Sequence, residues 1–322
     1  MYTPPDDLSD DDVAAALREQ WRIDVDEIAY LPVGFGSHHW TVSSGHSRWF
    51  ATVDDLRMGE RGAETVQAAL EAAFRLHAAG LAFVVAPVRT RSDRCTHSLT
   101  AHHLLAVYPF IDATSAVGLS FDDHRMRVDV VDMLVQVHCS PTSLSAGLPH
   151  EGLRLPCRVQ LATALSRLDQ TWSTGPFAEP TRALLRANSA ELANALERFD
   201  AQARRWSAAT DRMVFTHGEP HCGNTMTSDG VVRLIDWETA RVAHPERDLW
   251  RIAREDPSMV GYYEQAAGRG LEPELLDLYA LWWDLSDVAL YVADFTAPHP
   301  DTEDNRVGWQ GLVEHLDPRR WS

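Results

Sequence analysis

The sequence of 322 residues predicts an α+β fold with two lobes. Strand-like runs separated by glycine turns dominate residues 1–109, which predicts a small lobe built on an antiparallel sheet. From Phe121 onwards the apolar periodicity is mainly helical, so residues 110–322 are expected to form a larger, mostly helical lobe. A chain of this length can bury a substantial core and commonly divides into two parts. The segment 108–112, Tyr-Pro-Phe-Ile-Asp, is interpreted as the hinge between them.

The small lobe begins with a predicted helix over Leu8–Trp21, for which Ser9 is a suitable N-cap and acidic residues fill the first turn. A second helix is predicted over Glu64–Ala79, because its apolar residues recur on one face and Gly80 follows as a stop signal. The strands of the sheet are predicted at Ile28–Val33, His39–Ser43, Arg48–Val53, Phe83–Val88 and Leu104–Pro109.

In the large lobe a β-hairpin interrupts the helices. Thr225–Thr227 and Val231–Ile235 are short strand-like runs joined by Ser-Asp-Gly, which is strong turn chemistry. Residues 298–305 are rich in Pro and Asp and are interpreted as a surface loop. The helices of this lobe are predicted at Arg125–His138, Leu161–Trp172, Pro180–Trp206 and Pro273–Phe295.

The predicted hairpin brings together side chains that can hold a metal ion. If its strands pair about the turn, Asn224 lies almost opposite Asp236, and opposed Cβ atoms are roughly 4.5–5.5 Å apart. Two oxygen-bearing side chains at that spacing suit a hydrated Mg²⁺ ion. Glu219 precedes Asn224 in a loop stiffened by Pro220, where it could accept a proton. These are the components of a phosphoryl-transfer site.

The stretch VFTHGEPHCGN, followed by LIDWE and PERDLW, resembles the catalytic and metal-binding motifs of the aminoglycoside phosphotransferase family, which are small-molecule kinases related to the protein kinases. The resemblance implies a bilobal protein-kinase-like fold. It places Glu219 at the catalytic acid-base position and makes Asn224 and Asp236 the Mg²⁺ ligands. It further implies that His217 braces the loop and that Asp248 ties this loop to the following helix.

The sequence departs from the family pattern at two points. Glu219 stands where the family has Asp, although a general base needs reach more than a particular chain length. The sequence also contains no lysine, so the 29 basic residues counted as Lys+Arg are all arginine. The family's phosphate-binding strand lysine is replaced, by position, by Thr52. The phosphate charge would then be met by Mg²⁺, by backbone N–H groups, or by side chains such as His38, His39 or Arg57.

The nucleotide site is expected at the glycine-rich turn and at the hinge. Glycines between two strands let backbone amides approach phosphates, although Gly-x-Gly is also an ordinary hairpin turn. The hinge is assigned to the base by fold analogy, through its backbone groups. The expected nucleotide-binding residues are Gly34, Gly36, Ser37, Thr52, Tyr108, Phe110 and Ile111.

The predicted acceptor-binding residues lie on the long helix near the C-terminus. Trp283, Asp284 and Asp287 combine an aromatic ring with carboxylates, a pairing that could hold a cationic amino-sugar or aminocyclitol. The alternative, which the sequence favours, is that the tryptophans of this helix pack in the core and its aspartates face water, as is usual for aromatic residues at helical spacing.

Composition limits the partners. The formal net charge is −18, which argues against nucleic acid and anionic membranes as ligands. No apolar run approaches the roughly 20 residues that span a bilayer, and the acidic N-terminus is unlike a signal peptide, so a cytoplasmic protein is expected. The four cysteines are dispersed and predict neither a disulfide framework nor a zinc ribbon. A zinc site at His217 and His221 is a poor alternative, because Pro220 breaks the helix that such sites need.

The sequence therefore predicts a Mg²⁺-dependent O-phosphotransferase. It would move the γ-phosphate of ATP or GTP to a hydroxyl of a small, polar, cationic acceptor, and an aminoglycoside or aminocyclitol antibiotic is the first expectation, with antibiotic resistance as its consequence. Two alternatives stay open. One is a metabolic kinase acting on a sugar, a choline-like amine or a homoserine-like alcohol. The other is a nucleotide-binding pseudokinase, because the strand lysine is missing.

Overall fold

The computed structural model describes residues 1–57, 62–115, 120–121 and 123–321. Its chain divides into two compact units, each formed from two separate stretches of sequence. The predicted boundary between residues 109 and 110 falls inside the first unit, so the division at that point stays a prediction. The first unit contains Met1–Glu151 and Thr210–Leu276, and the second contains Gly152–Ala209 and Asp277–Ser322.

The strands belong to the first unit and form a five-stranded antiparallel sheet with the order β1-β2-β3-β5-β4, a three-stranded sheet with the order β6-β8-β9, and the pair β7 and β10. In chain order they are β1 (Glu27–Leu31), β2 (Ser37–Ser44), β3 (Ser47–Asp55), β4 (His97–Ser98), β5 (His103–Pro109), β6 (Thr114–Ser115), β7 (Val214–Thr216), β8 (Thr225–Ser228), β9 (Val231–Leu234) and β10 (Arg241–Ala243).

The first unit also holds α1 to α3, α7, α8 and the start of α9, and the second unit holds the other helices. A π-helical turn over Leu17–Trp21 continues α1. In chain order the helices are α1 (Asp10–Ala16), α2 (Ala63–Ala78), α3 (His124–His138), α4 (Arg158–Leu165), α5 (Ala178–Ala187), α6 (Ser189–Trp206), α7 (Glu246–Glu255), α8 (Ser258–Ala267), α9 (Pro273–Thr296) and α10 (Glu303–His315).

One predicted strand is wrong. Residues 83–88 are not part of the five-stranded sheet, whose fifth strand is β4. Instead Val84 forms a parallel bridge with Leu234 on β9, and the N–H of Val85 donates to the carbonyl of Leu234 at 3.0 Å. A β-branched apolar run indicates an extended, buried segment, but the pattern does not show which strand it will pair with.

Two predicted helices also differ from the structure. The helix expected over Pro180–Trp206 is divided at Asn188 into α5 and α6. The helix expected over Leu161–Trp172 begins and ends earlier, as α4. The N-terminal helix is confirmed with its cap, because the N–H of Asp12 donates to the hydroxyl of Ser9 at 3.2 Å and the Asp12 carboxylate accepts from the Ser9 N–H in return.

The first unit has an apolar core on each face of its large sheet. One face packs Trp40 and Val53 against the N-terminal helix. The other packs against α2, and this core continues through α3 to Leu234 and Trp237, which flank the end of the hairpin β8–β9. Burying apolar side chains in these cores stabilises the folded state by roughly 25 cal/mol per Å² of apolar surface removed from water. The hairpin is therefore fixed to the sheet and its helices by apolar packing.

The second unit is helical, and the buried side chains of α9 include Leu285, Val288, Val292 and Phe295. Across the described parts of the chain, no helix is both long enough and apolar enough to cross a membrane.

Candidate active site

The hairpin β8–β9 is confirmed by the structure. Thr225 pairs with Leu234 and Ser228 with Val231. The turn residues Asp229 and Gly230 both have positive φ, 53° and 73°, as a tight two-residue hairpin turn requires. Beyond the paired residues, the N–H of Ile235 donates to the carbonyl of Asn224 at 3.1 Å. Asn224 is thus one residue from lying directly opposite Asp236.

Residues 217–224, here called the catalytic loop, follow β7 and hold Glu219 by its backbone. The N–H of Glu219 donates to Nδ1 of His217 at 3.2 Å. Its carbonyl accepts from the N–H of His221 at 2.8 Å and from Nδ2 of Asn224 at 3.0 Å. Among the residues that the structure describes, no hydrogen bond reaches the half-buried Glu219 carboxylate. The backbone is fixed while the carboxylate stays able to accept a proton.

His217 joins the catalytic loop to residues 235–240, here called the metal loop. It is fully buried, and burial lowers the pKa of His217 to about 4, so the ring is neutral at physiological pH. Nε2 donates to the carbonyl of Ile235 at 2.8 Å, while Nδ1 accepts from Glu219. Both bonds suit the same neutral tautomer. The position of His217 agrees with the brace that the sequence predicts.

Asp248, on α7, accepts hydrogen bonds from two successive amides of the catalytic loop. Its Oδ2 accepts from the N–H of His217 at 2.7 Å, and its Oδ1 accepts from the N–H of Gly218 at 2.6 Å. Burial alone would raise the pKa of Asp248, but the hydrogen bond with His138 and the nearby positive charges hold it below its usual value. The carboxylate therefore stays charged and anchors the loop.

Sequence reasoning missed His138, which positions Asp248 from the end of α3. Its Nε2 lies 3.1 Å from Oδ2 of Asp248, and its Nδ1 lies 2.8 Å from the hydroxyl of Tyr263 on α8. The only signal in the sequence is a histidine on the apolar face of a predicted helix, and this pattern is also typical of an ordinary core histidine.

The donor set at the hairpin suits a hard divalent cation. Nδ2 of Asn224 is engaged by Glu219, which leaves Oδ1 as its ligand atom. Asp236 is exposed and adopts the left-handed conformation, φ 62° and ψ 60°, which costs a residue with a side chain about 1–2 kcal/mol. The described residues contain no group of three or more His, Cys, Asp or Glu that could hold a metal. Phosphate and water oxygens would complete the coordination, which is the usual manner of Mg²⁺ binding.

Thr52, at the position of the missing lysine, faces a neutral histidine. It lies on β3 opposite His39 of β2, and its hydroxyl is 3.3 Å from Nδ1 of His39. The His39 ring stacks on Phe50 with centroids 5.0 Å apart. Burial lowers the pKa of His39 to about 3, so His39 supplies no positive charge here.

Arg57, a further predicted replacement for the lysine, is committed elsewhere. It forms bonds with both carboxylate oxygens of Asp55, and its Nη1 lies 3.0 Å from Asp7. His38 bonds the hydroxyl of Tyr30 at 3.1 Å through Nδ1. Because Arg57 and His38 already have these partners, neutralisation of the phosphate charge is expected from a metal ion and the backbone amides instead.

The glycine-rich turn lies between β1 and β2, as expected. Gly34 and Gly36 have φ of +72° and +96°, conformations that glycine adopts without strain. The hydroxyl of Ser37 donates to Oδ1 of the buried Asp54 at 2.7 Å. The Ser37 side chain therefore fastens the turn to β3, and a phosphate-binding role for this turn rests on its backbone.

The predicted hinge offers fewer backbone groups than the sequence indicates. The N–H of Phe110 donates to the carbonyl of Arg48 at 3.0 Å, and Pro109 has no N–H. Ile111 is therefore the first hinge residue whose N–H could bond a nucleotide base. The hinge prediction for Tyr108, Phe110 and Ile111 otherwise stays a prediction. Burial, then the charges of Glu238, Asp54 and Asp236, raises the pKa of Tyr108 well above its usual value.

The predicted acceptor residues lie on α9 in the second unit. Asp284 is buried and accepts from His315 at 2.7 Å and from Nε of Arg320 at 3.0 Å. Asp287 is more exposed, and one of its oxygens lies 3.0 Å from Nε2 of His315. Trp283 is half-buried. Acceptor binding by these residues stays a prediction, and the structure gives Asp284 a structural partner in addition.

Comparison with protein families shows the family of the chain. The model of the APH phosphotransferase enzyme family matches residues 27–279, which include the glycine-rich turn, the catalytic loop and the metal loop. The chain belongs to the APH phosphotransferase enzyme family. As an APH phosphotransferase it transfers a phosphoryl group to an alcohol acceptor, and the predicted resemblance is confirmed.

This APH phosphotransferase is similar in sequence to one curated protein and in fold to several solved structures. Protein StrN of Streptomyces griseus is 29% identical over 302 residues, 91% of this chain and 87% of StrN. Spectinomycin phosphotransferase APH(9)-Ia, solved with ADP and spectinomycin, superposes with a TM-score of 0.76 at 18% identity, covering 97% of this chain and 96% of that one. Amicoumacin kinase hAmiN, solved with AMP-PNP, Ca²⁺ and Ami, superposes with a TM-score of 0.57 at 10% identity over 98% of both chains. The predicted α+β, protein-kinase-like fold is confirmed.

Proposed function

We propose that this APH phosphotransferase moves the γ-phosphoryl group of ATP or GTP to a hydroxyl of a small, polar, cationic acceptor. An aminoglycoside or aminocyclitol is the acceptor class best supported. The observation that carries the proposal is the single hydrogen-bonded frame in which Asn224 contacts both the Glu219 carbonyl and the Ile235 amide next to Asp236. The backbone segments that carry the proposed base and cation ligands are bonded together before any substrate binds, which supports the proposal because less ordering is then needed during binding.

Glu219 would act on the acceptor hydroxyl. Its carboxylate hydrogen-bonds that hydroxyl and takes its proton as the oxygen forms a bond to the γ-phosphorus. The bond from the γ-phosphorus to the bridging oxygen breaks, and the nucleoside diphosphate leaves with that oxygen. His217 and Asp248 keep the loop backbone in place during the transfer, because they bond its amides and carry fixed charge states.

Asn224 and Asp236 would hold the Mg²⁺ ion. When bound, this ion neutralises the charge of the phosphate oxygens. Since the strand position Thr52 carries no cation, and His39 is neutral, the backbone amides of the glycine-rich turn would supply the remaining stabilisation.

Two observations support a cationic acceptor. The net charge of −18 gives the protein a negative field that concentrates cations near it. Structures of similar fold include spectinomycin phosphotransferase bound to spectinomycin and APH(4)-Ia bound to hygromycin B.

A metabolic alcohol is the second candidate acceptor. The observation that favours it is the state of Asp284, which is buried and bonded to His315 and Arg320. Its charge is largely balanced, so it offers less to a polycationic antibiotic than an exposed aspartate would. An aminopropanol kinase is among the proteins of similar fold, with a TM-score of 0.58 at 12% identity.

An acceptor screen tests the proposal. Nucleotide consumption is measured with Mg²⁺ and ATP or GTP over aminoglycosides, aminocyclitols, amino alcohols and sugars, and any product is examined by phosphorus NMR. We expect hydroxyl-dependent consumption and a phosphate monoester on an aminocyclitol-type acceptor. A monoester formed only on a metabolic alcohol would favour the second candidate. Nucleotide binding without any phosphoryl transfer would contradict both candidate acceptor classes and favour the pseudokinase alternative.

Asp236→Asn is the variant that tests the cation site. It keeps the shape of the side chain but removes the charge that holds the cation, so we expect kcat to fall by about 10³-fold or more, the scale of losing a preorganised electrostatic contact. Asp229→Asn is the matched control, because Asp229 also has positive φ but lies in the exposed hairpin turn. Equal activities of the two variants would contradict the proposed site.

A further inference from the structure

Arg247 is a buried cation that contacts the flanks of both functional loops. It lies on α7 with 3% of its surface exposed. Its Nη1 donates to the hydroxyl of Thr216, the residue immediately before the catalytic loop, at 3.1 Å. Its Nη2 donates to the carbonyl of Thr239, within the metal loop, at 3.0 Å. One planar guanidinium therefore bonds the two segments simultaneously.

The guanidinium also packs against the backbone next to the proposed base. A Cβ placed on Gly218 would lie 2.4 Å from Nη1, 2.5 Å from Nη2 and 2.7 Å from Cζ of Arg247. Gly218 has φ +109°, a conformation that side chains rarely adopt. Position 218 therefore requires glycine for two reasons: its backbone has positive φ, and Arg247 occupies the space that a Cβ would take.

Two carboxylates lie near the charge of Arg247: Glu151, and Asp248, whose pKa Arg247 helps to lower. Nε of Arg247 lies 3.8 Å from Oε2 of Glu151, too far for a hydrogen bond, and has no hydrogen-bond partner among the described residues. Arg241 shares the same carboxylate, with Nε 3.7 Å from Oε2. A buried ion pair is weak evidence for stability, because packed apolar side chains in its place are often equally stable. The two bonds that join Arg247 to the two loop segments therefore point to a role in the function of the loops.

We infer that Arg247 is a positioning residue for phosphoryl transfer, which fixes the distance between the catalytic loop and the metal loop. The inference rests on the proposed function, since it assigns Glu219 and Asp236 to those loops. A misplacement of about 1 Å between reacting groups can cost about 100-fold in rate. Lysine cannot replace this arginine, because an ammonium group lacks the planar fork that reaches both acceptors.

Hydrogen–deuterium exchange tests the inference without any acceptor. In Arg247→Gln we expect amide exchange in residues 216–224 and 235–240 to increase together, because the shared donor is lost. Arg212→Gln is the matched control. Arg212 bonds the carboxylate of Glu246, which lies on α7 next to Arg247, and the carbonyl of Gly270. None of its described hydrogen bonds reaches either loop. Arg212→Gln should lower thermal stability and leave exchange in both loops at the wild-type rate. Unchanged loop exchange in Arg247→Gln would overturn the inference.

Kinetics separate positioning from a general loss of structure. With an acceptor from the screen, Arg247→Gln should lose about 100-fold in kcat with a much smaller change in the KM of the acceptor, and Arg247→Lys should recover little of it. Added guanidinium should restore part of kcat in Arg247→Ala. Loss of kcat in proportion to lost stability, equal to that of Arg212→Gln, would contradict the role.

If Arg247→Gln does not fold, Thr216→Val removes one acceptor and keeps the shape of that side chain. It should increase exchange in the catalytic loop, and wild-type exchange there would overturn the inference. A failed acceptor screen would count against the proposed function and leave the exchange result standing, so the two failures are distinguishable.

Discussion

Thr52 is the residue predicted to stand in place of the family's strand lysine. It lies on β3, and the ring opposite it, His39, has its pKa lowered to about 3 by burial. Asp54 lies on the same face of the strand, since side chains alternate. A lysine introduced here would therefore meet a neutral ring and a carboxylate, and the nearby cation is the N-terminal ammonium, which bonds the carbonyl of Ser37 and also lowers the pKa of His39.

We predict that Thr52→Lys lowers the KM for the Mg-nucleotide about tenfold. A hydrogen bond to a charged group is worth about 1.5–3 kcal/mol, and part of this is lost to ordering the side chain. Steady-state kinetics with varied nucleotide measure the effect. Ser47→Lys, at the exposed start of the same strand, adds the same charge and should leave the KM unchanged. If both variants give the wild-type KM, the phosphates do not lie over this strand.

At the residue scale the sequence identifies groups that belong to a compact motif. Glu219, Asn224 and Asp236 were assigned from spacing and resemblance, and the structure brings the backbones of these segments into contact. His138 was missed because its partners, Asp248 and Tyr263, are more than 100 residues away in the sequence. Arg247 was missed because its acceptors are a hydroxyl and a backbone carbonyl of other segments, which no sequence motif marks. A histidine or arginine on a predicted helix gives no sign of whether it faces water or a buried carboxylate.

Among the elements, the hairpin β8–β9 depends on its turn. Gly230 has φ +73° with nothing within 4 Å of an added Cβ, so a substitution there is resisted by the backbone alone. We predict that Gly230→Ala lowers the free energy of unfolding by about 1–2 kcal/mol, the cost of the left-handed conformation for a residue with a side chain. Urea unfolding, with the midpoint and slope fitted together, measures the change.

Gly261 supplies the matched control for that turn. It lies within α8, has open space around its Cβ position and does not have positive φ. Gly261→Ala should raise the free energy of unfolding by about 0.5–1 kcal/mol, because alanine favours a helix more than glycine does. The same substitution is thus expected to have opposite signs at the two sites. A destabilising effect at Gly261, or none at Gly230, would contradict the backbone explanation.

A helix or strand can be predicted from the sequence when the residues that determine it are close together in the chain. The hairpin was predicted because its turn residues, Asp229 and Gly230, are a local signal with one structural meaning. The segment 83–88 was assigned to the wrong sheet because its pairing partner, Leu234, lies 150 residues away in the sequence. The break between α5 and α6 falls at Asn188 without Gly or Pro, so apolar periodicity continued across it.

At the scale of the whole molecule, acid stability depends on buried neutral histidines. Burial lowers the pKa of His39 to about 3 and those of His217 and His221 to about 4, from 6.5 in the unfolded chain. Above pH 6.5 both states are neutral and the shift has no effect on stability. As the pH falls below 6.5 the unfolded chain takes up protons that the folded protein cannot. Stability is then lost until the folded-state pKa values are reached.

We predict that the free energy of unfolding falls between pH 6 and pH 4.5 with a net uptake of about two protons, because the three histidines take up nearly three and Asp294 releases about one. Each histidine contributes at most about 1.4 kcal/mol per pH unit, and less at His221, which is partly exposed. Asp294 acts in the opposite direction, because desolvation raises its pKa to about 6 and the folded protein takes up a proton there first, although solvent screening reduces the effect at this exposed residue. Urea unfolding at several pH values gives the slope, which Asp294→Asn should steepen. A net uptake of fewer than one proton on unfolding would mean that the three histidines titrate in the folded protein as they do in water.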